Sequence, residues 1–103
     1  MSKPRSKWWG YVRNILYAYP SMVTRPEALT SMEEREWDAV DSAMVETLRL
    51  PDGESSLNII RMVFYQRSHT LCGAAMYENI SYRTARRRQN DFIRRVGKYM
   101  GLS

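Results

Sequence analysis

The chain has 103 residues, of which 44% are apolar and 12% aromatic, and this composition excludes a chain that is disordered throughout. Its single cysteine, Cys72, excludes an intramolecular disulfide framework and favours a reducing compartment. No apolar run has the length of a membrane span or of a signal peptide, so we expect a soluble intracellular protein.

The charged residues are distributed unevenly along the chain. Residues 1–20 have a formal charge of +4, residues 21–60 have −6 and residues 61–103 have +7, within a net charge of +5. Such segregation predicts a protein with one end that faces a polyanion. The alternative is that the basic residues only keep the surface of a helix solvated.

The first predicted helix runs from about Ser6 to Tyr19. Ser6 is suited to cap its start, and Pro20 to end it, because the residue before a proline avoids the helical conformation. Apolar residues recur with helical spacing along one face, at Trp8, Val12, Ile15, Leu16 and Tyr19. We expect Trp8 to lie in the core and Trp9 to lie at an interface.

Two further helices are predicted in the middle of the chain. The pattern "SMEE" at residues 31–34 is typical of a capping box, with Ser31 as the cap and Glu34 as its partner. Helical spacing predicts a buried stripe along this helix, formed by Trp37, Val40, Ala43 or Met44, Leu48 and Leu50. A Pro-Asp-Gly turn follows, and the dense apolar run of residues 55–66 predicts a third, buried helix.

The C-terminal part of the chain predicts two helices in close succession. Thr70 is suited to cap a short helix over residues 71–77, and Ser81 to cap a long helix that ends near Met100. The turn between them contains Asn79, which tolerates the left-handed backbone conformation. The predicted fold is therefore all-α, a small helical domain with a C-terminal helix-turn-helix and a long last helix.

The long last helix has an apolar side and a basic side. Ala85, Phe92 and Val96 have the spacing of a buried face, with Ile93 beside it, and Ala75 and Ile80 are suited to the contact and the turn between the two helices. The remaining face contains polar and basic residues, namely Tyr82, Arg83, Arg86, Arg87, Asn90 and Arg94. A helix of this kind is suited to the major groove of DNA.

The segment "IRMVFYQRSHTLCGAAMYENISYRTARRRQNDFIRRVGKYMGL" resembles the helix-turn-helix of sigma-factor region 4, and most of all small phage and prophage transcription regulators of the ArpU and RinA type. The resemblance implies a DNA-binding domain over residues 54–103, preceded by an N-terminal helical segment, residues 1–53, for partner contacts. It also implies sequence-specific binding of double-stranded DNA in the cytoplasm of a bacterial host, and activation of phage late genes. RNA polymerase and a second copy of the chain are further candidate partners.

The resemblance implies a set of DNA-binding residues on the last helix. The residues expected to face the groove are Ser81, Tyr82, Arg83, Arg86 and Arg87. The arginines are suited to guanine edges, whereas Ser81 and Thr84 are better suited to phosphates. The full predicted site comprises Ser81, Tyr82, Arg83, Thr84, Arg86, Arg87, Asn90 and Arg94. Flanking phosphates are expected to contact Arg67, Arg94, Arg95 and Lys98.

Arg88 departs from the family pattern, because such motifs usually bury an apolar residue at this position. Two explanations are open. The side chain extends outwards along its aliphatic stem, or the register of the helix shifts by one residue.

Catalytic and metal sites are not expected. His69 and Cys72 lack the further cysteine or histidine ligands that a structural zinc site needs, and no nucleophile has a plausible base. We therefore expect no enzyme activity, no metal and no cofactor. Two alternatives to a regulator are a small terminase-like DNA-packaging protein, which assembles as a ring, and a helical adaptor that binds an acidic protein.

Overall fold

The structure is a computed structural model that describes residues 7–102 of the chain. Its regular structure is entirely helical within that range. The helices are α1 (Trp8–Val23), α2 (Ser31–Leu48), α3 (Gly53–Ile60), α4 (Leu71–Tyr77) and α5 (Tyr82–Tyr99). A short 3-10 turn, Pro26–Ala28, precedes α2, and a π-helical segment, Arg61–Tyr65, continues α3. The predicted all-α fold with a C-terminal helix-turn-helix is confirmed.

The main core lies between α1, α2, α3 and α5. Its largest fully buried side chains are aromatic or branched aliphatic and include Leu16, Val40, Ile60, Phe64, Phe92 and Ile93. A smaller cluster joins α3, α4 and α5, and consists of Ile59, Met62, Ala74, Ala75 and Ala85. The three alanines allow α4 and α5 to approach closely, as expected for a helix-turn-helix. The last helix is therefore packed against both clusters.

The predicted end of the first helix is wrong. Pro20 lies inside α1, which continues to Val23. A proline within a helix costs about 3 kcal/mol because it removes one backbone hydrogen bond. Two contacts offset this cost: the ring of Tyr19 lies 5.2 Å from that of Tyr65, and Met22 in the following turn is completely buried. The predicted cap, Ser6, lies outside the described residues.

The capping box of α2 is displaced by one residue from the predicted one. The cap is Thr30, whose hydroxyl accepts a hydrogen bond from the backbone N–H of Glu33, and the Glu33 carboxylate accepts one from the N–H of Thr30. Both Thr30 and Ser31 are followed by a glutamate at the required spacing. Arg25 selects between them, because it forms an ion pair of 2.6 Å with Glu33.

The buried side of α2 is formed by smaller residues than the predicted stripe. Ala39, Val40, Ala43 and Thr47 are buried, whereas Leu48 and Leu50 are exposed and Trp37 is half-buried. Small residues allow α2 to lie close to α5 across the core. The prediction for Leu48 and Leu50 is therefore wrong, because Thr47 takes the buried position in the last turn of α2 and Leu50 lies beyond the end of the helix.

The burial of the two adjacent tryptophans is the reverse of the prediction. Trp9 is buried in the core, and Trp8 is half-buried at its edge. Trp8 packs against Gly97 of α5, where an added Cβ atom would lie only 2.6 Å from the indole ring. Gly97 therefore lets the N-terminal end of α1 reach the C-terminal half of α5.

Candidate nucleic-acid interface

The helix-turn-helix is built by local capping interactions. Thr70 caps α4 by accepting a hydrogen bond from the N–H of Gly73 at 3.1 Å, and Ser81 caps α5 by accepting one from the N–H of Thr84 at 3.1 Å. Asn79 in the turn has the predicted left-handed conformation, with a φ angle of 57°. The half-buried Ile80 packs on the smaller core cluster. The predicted caps and turn are thus confirmed.

The C-terminal end of α5 is closed by Gly101. Its φ angle is 75°, and the next N–H, that of Leu102, donates a hydrogen bond to the carbonyl of Gly97 at 2.8 Å. This is the arrangement of a Schellman motif, in which Leu102 packs back on the core. The helix α5 is therefore capped at both ends and packed against the core along one side.

One flank of α5 binds acidic side chains of α2 and of the turn before α3. Arg88 lies 3.1 Å from a carboxylate oxygen of Asp52, while Arg95 and Lys98 each lie 3.1 Å from Glu46. Glu46 also accepts a hydrogen bond from the Tyr99 hydroxyl at 2.8 Å. Hydrogen bonds from Tyr99 and Lys98 lower the pKa of the Glu46 carboxyl, so it is a persistent anion at neutral pH.

These pairs change the role expected for two basic residues. Arg95 and Lys98 were predicted to contact flanking phosphates, but the structure places both against Glu46. The guanidinium of Arg95 also donates to the buried Thr47 hydroxyl at 3.2 Å. Arg95 therefore connects α5 to α2. Exposed ion pairs are weak, so Lys98, which is more exposed, can exchange its partner more readily than Arg95.

The N-terminal half of α5 presents arginines of a different kind. Arg83, Arg86 and Arg87 are exposed, and within residues 7–102 their side chains have no hydrogen-bond or ion-pair partner. We call these three residues the exposed arginine face. Tyr82 beside them is 51% exposed, although its ring has apolar character. The structure thus brings four of the predicted site residues together on one accessible surface.

The hydroxyl groups at the start of α5 are engaged locally. Ser81 accepts from the N–H of Thr84 and donates to the Thr84 hydroxyl oxygen at 2.9 Å. Ser81 is exposed and Thr84 is half-buried. Both therefore lie at the positively polarised end of the helix, a location that suits a phosphate oxygen.

The remaining two predicted site residues lie farther along α5. Arg94 is exposed, forms an ion pair of 3.0 Å with Asp91 and lies 5.6 Å from the ring of Trp9. Asn90 is half-buried, and its Oδ1 atom is buried without a hydrogen-bond partner among the described residues. Asn90 therefore lies deeper than an exposed base-contacting residue. Arg94 is exposed, as is required of a residue that contacts DNA.

Sequence reasoning did not include Arg13 in the site. Arg13 lies on α1, and it lines a cleft together with Tyr82 and Arg86 of α5. Arg67, which was predicted to contact phosphates, follows the π-helical segment and stacks on Tyr17 at 4.3 Å. No local pattern in the sequence indicates that α1 contributes to this end of the molecule. The contribution arises from the packing of α1 beside the π-helical segment.

The described part of the chain contains no group of three or more histidine, cysteine or acidic residues that could hold a metal ion. None of its helices combines the length and the apolar character that crossing a membrane requires. Comparison of the chain with protein-family models, with curated proteins and with solved structures gives no match.

Proposed function

We propose that the protein binds double-stranded DNA in a sequence-specific manner and regulates transcription. The observation that supports this proposal is the division of basic residues on α5. Arg88 and Arg95 are bound to acids of the same chain, whereas the exposed arginine face has no such partner among residues 7–102. Unpaired arginines on a capped, rigid helix are suited to guanine edges, because each guanidinium can bond O6 and N7 together.

The geometry also favours one orientation on DNA. The N-terminal half of α5 would enter the major groove, with Ser81 and Thr84 near a phosphate and Arg83 and Arg87 near base edges. α4 would lie across the groove and hold α5 in place, as the first helix of such motifs does. The resemblance to phage regulators of the ArpU and RinA type extends this proposal to activation of late genes in a bacterial cytoplasm, with RNA polymerase as a partner.

A direct experiment compares two triple variants that lose the same charge. The test variant replaces Arg83, Arg86 and Arg87 by alanine, and the control replaces Arg35, Arg49 and Arg61, which are exposed and lie outside α5. Affinity for short labelled duplexes should fall by orders of magnitude in the test variant and only slightly in the control. Equal losses in the two variants would show non-specific attraction to a polyanion and would contradict the proposal.

The salt dependence of wild-type binding measures how many phosphates are contacted. If about six phosphates are neutralised, log affinity should fall with log salt with a slope near −5. Light scattering on the same sample tests for a closed ring of subunits, which would indicate a DNA-packaging protein. A monomer or dimer is expected for a regulator.

A further inference from the structure

A cleft opens beside the exposed arginine face, between α1, α4 and α5. Its volume is about 460 Å³, and it is lined by Arg13, Val63, Leu71, Tyr82, Arg86 and Gln89. This volume lies in the range of about 300–1,000 Å³ that is usual for small-molecule sites. The cleft is therefore large enough to receive a chemical group.

Two guanidinium groups line this cleft, and no carboxylate from the described part of the chain does. Arg13 is held by the core, because its Cζ atom lies 5.3 Å from the centre of the Phe64 ring and its Nη2 atom donates to the Tyr17 hydroxyl at 3.5 Å. Arg86 has no partner within residues 7–102. Two like charges at one cleft repel each other, so an anionic ligand would be stabilised there.

Gln89 supplies a third polar group at the cleft. It is only 6% exposed, it lines the cleft, and its side-chain amide has no hydrogen-bond partner among the described residues. The amide atoms of Gln89 are not among the fully buried side-chain atoms that lack a partner, so they reach the open cleft. An oxygen atom of a ligand in the cleft can therefore accept a hydrogen bond from the Gln89 amide.

We propose that this cleft binds a phosphate group, which Arg13 and Arg86 contact through their guanidinium groups and Gln89 contacts through its side-chain amide. Arginine is suited to phosphate because its planar donors can form two parallel hydrogen bonds with the oxygens. The phosphate belongs to the DNA strand that passes along α5, since Tyr82 and Arg86 belong both to the cleft and to the predicted DNA-binding surface. The statement that the phosphate comes from DNA rests on the proposed function. The statement that the cleft binds a phosphate group does not depend on it.

The first arm of the test uses inorganic pyrophosphate and the full chain. Nuclear magnetic resonance should show that added pyrophosphate shifts the Gln89 side-chain amide and the Arg13 Nε signals in a saturable manner. Arg35, an exposed arginine on α2, should not respond. If the Gln89 and Arg13 signals stay unchanged while pyrophosphate is added, the proposal is overturned. This measurement requires no variant, so it does not depend on whether a variant folds.

The second arm compares Arg13→Gln and Gln89→Leu with the charge-matched control Arg35→Gln. Both cleft variants should bind pyrophosphate about tenfold more weakly, the effect of losing one charge-assisted hydrogen bond. Arg13→Lys should restore part of the loss, because it keeps the positive charge. Wild-type affinity in both cleft variants would overturn the proposal.

Short duplex DNA forms the third arm and distinguishes the two sources of phosphate. If Arg13→Gln weakens duplex binding and the Gln89 amide shifts with DNA, the cleft receives a backbone phosphate. If pyrophosphate shifts Gln89 but no duplex binds, the phosphate site stands, its ligand is a free phosphorylated molecule, and the proposed function fails. If duplexes bind without any response of Gln89 or Arg13 to DNA or pyrophosphate, the proposed function stands and the cleft proposal is overturned.

Discussion

The Nε atom of Arg88 lies 3.1 Å from Oδ2 of Asp52, and its Nη1 atom donates a hydrogen bond to the hydroxyl of Ser55 at 2.7 Å. The contact with Asp52 is an ion pair without an aligned hydrogen bond. Together the two contacts connect α5 to the turn before α3 and to α3 itself. They add to the buried contacts of Phe92 and Ile93, which hold α5 in an orientation that leaves Arg83 and Arg87 exposed. Arg88 thus neither extends freely into solvent nor shifts the register of the helix.

Replacing Arg88 by methionine should lower the free energy of unfolding by about 1–2 kcal/mol. The Arg88 side chain is only 16% exposed, whereas Asp52 is 42% exposed, so the loss falls below that of a fully buried pair. Arg87→Met is the matched control, because Arg87 is exposed and has no partner in the described part of the chain. Its free energy of unfolding should change by less than about 0.5 kcal/mol. Urea denaturation followed by circular dichroism measures both, and equal values would refute the tethering role of Arg88.

Replacing Arg83 or Arg87 by alanine should relax base preference. A bidentate contact to guanine contributes about 1–3 kcal/mol of discrimination against other bases. Arg94→Ala should instead weaken all sequences alike, because Arg94 lies farther along α5 and is expected to contact a phosphate. Affinities for a preferred duplex and its single-base variants separate the two effects. A similar loss of affinity across all duplexes for both groups of variants would contradict this division.

The ion pair between Arg25 and Glu33 predicts an acid-dependent contribution to stability. The hydrogen bonds from Arg25 and from the Thr30 backbone lower the pKa of Glu33 to about 2. Because the folded pKa lies below the unfolded one, the stabilisation is fully present above the unfolded pKa, near 4.5, and is lost as the pH falls towards about 2.

Comparing wild-type protein with Glu33→Gln checks this dependence. The difference in their free energies of unfolding should be largest at neutral pH and should decrease steadily below about pH 5. Urea denaturation across this pH range gives the difference directly. A difference that stays constant from neutral pH down to about pH 2 would show that folding does not favour the ionised form of Glu33.

Two glycines in helices should respond oppositely to replacement by alanine. A Cβ atom on Gly53 would lie 2.1 Å from the backbone oxygen of Thr47, whereas one on Gly10 would meet no atom within 4 Å. Gly53→Ala should therefore destabilise the fold by about 2 kcal/mol or more, because the clash is with backbone. Gly10→Ala should stabilise it by about 0.5–1 kcal/mol through higher helix propensity. Thermal denaturation of both variants checks the sign of each change.

The sequence was sufficient for features with local causes. The caps at Thr70 and Ser81 and the left-handed Asn79 each depend on a few neighbouring residues, and all were predicted correctly. The buried side of α5 followed from its spacing, because polar and apolar residues alternate there with a clear helical period.

The features that were missed depend on contacts between distant segments. Pro20 stays in α1 because Met22 is buried in the core, and the choice between Thr30 and Ser31 as cap depends on Arg25. The division of the basic residues of α5 likewise depends on Asp52 and Glu46, which lie on other elements. No spacing rule within α5 distinguishes a paired arginine from an unpaired one.

The most direct test of DNA reading is selection of bound duplexes from a random-sequence library. The wild-type protein should enrich a short motif that contains guanines, because unpaired arginines on α5 select them. Arg88→Lys, which keeps the charge near Asp52, should enrich the same motif. The variant with alanine in place of Arg83, Arg86 and Arg87 should enrich none. Recovery of duplexes without any common motif by the folded wild-type protein would contradict sequence-specific recognition.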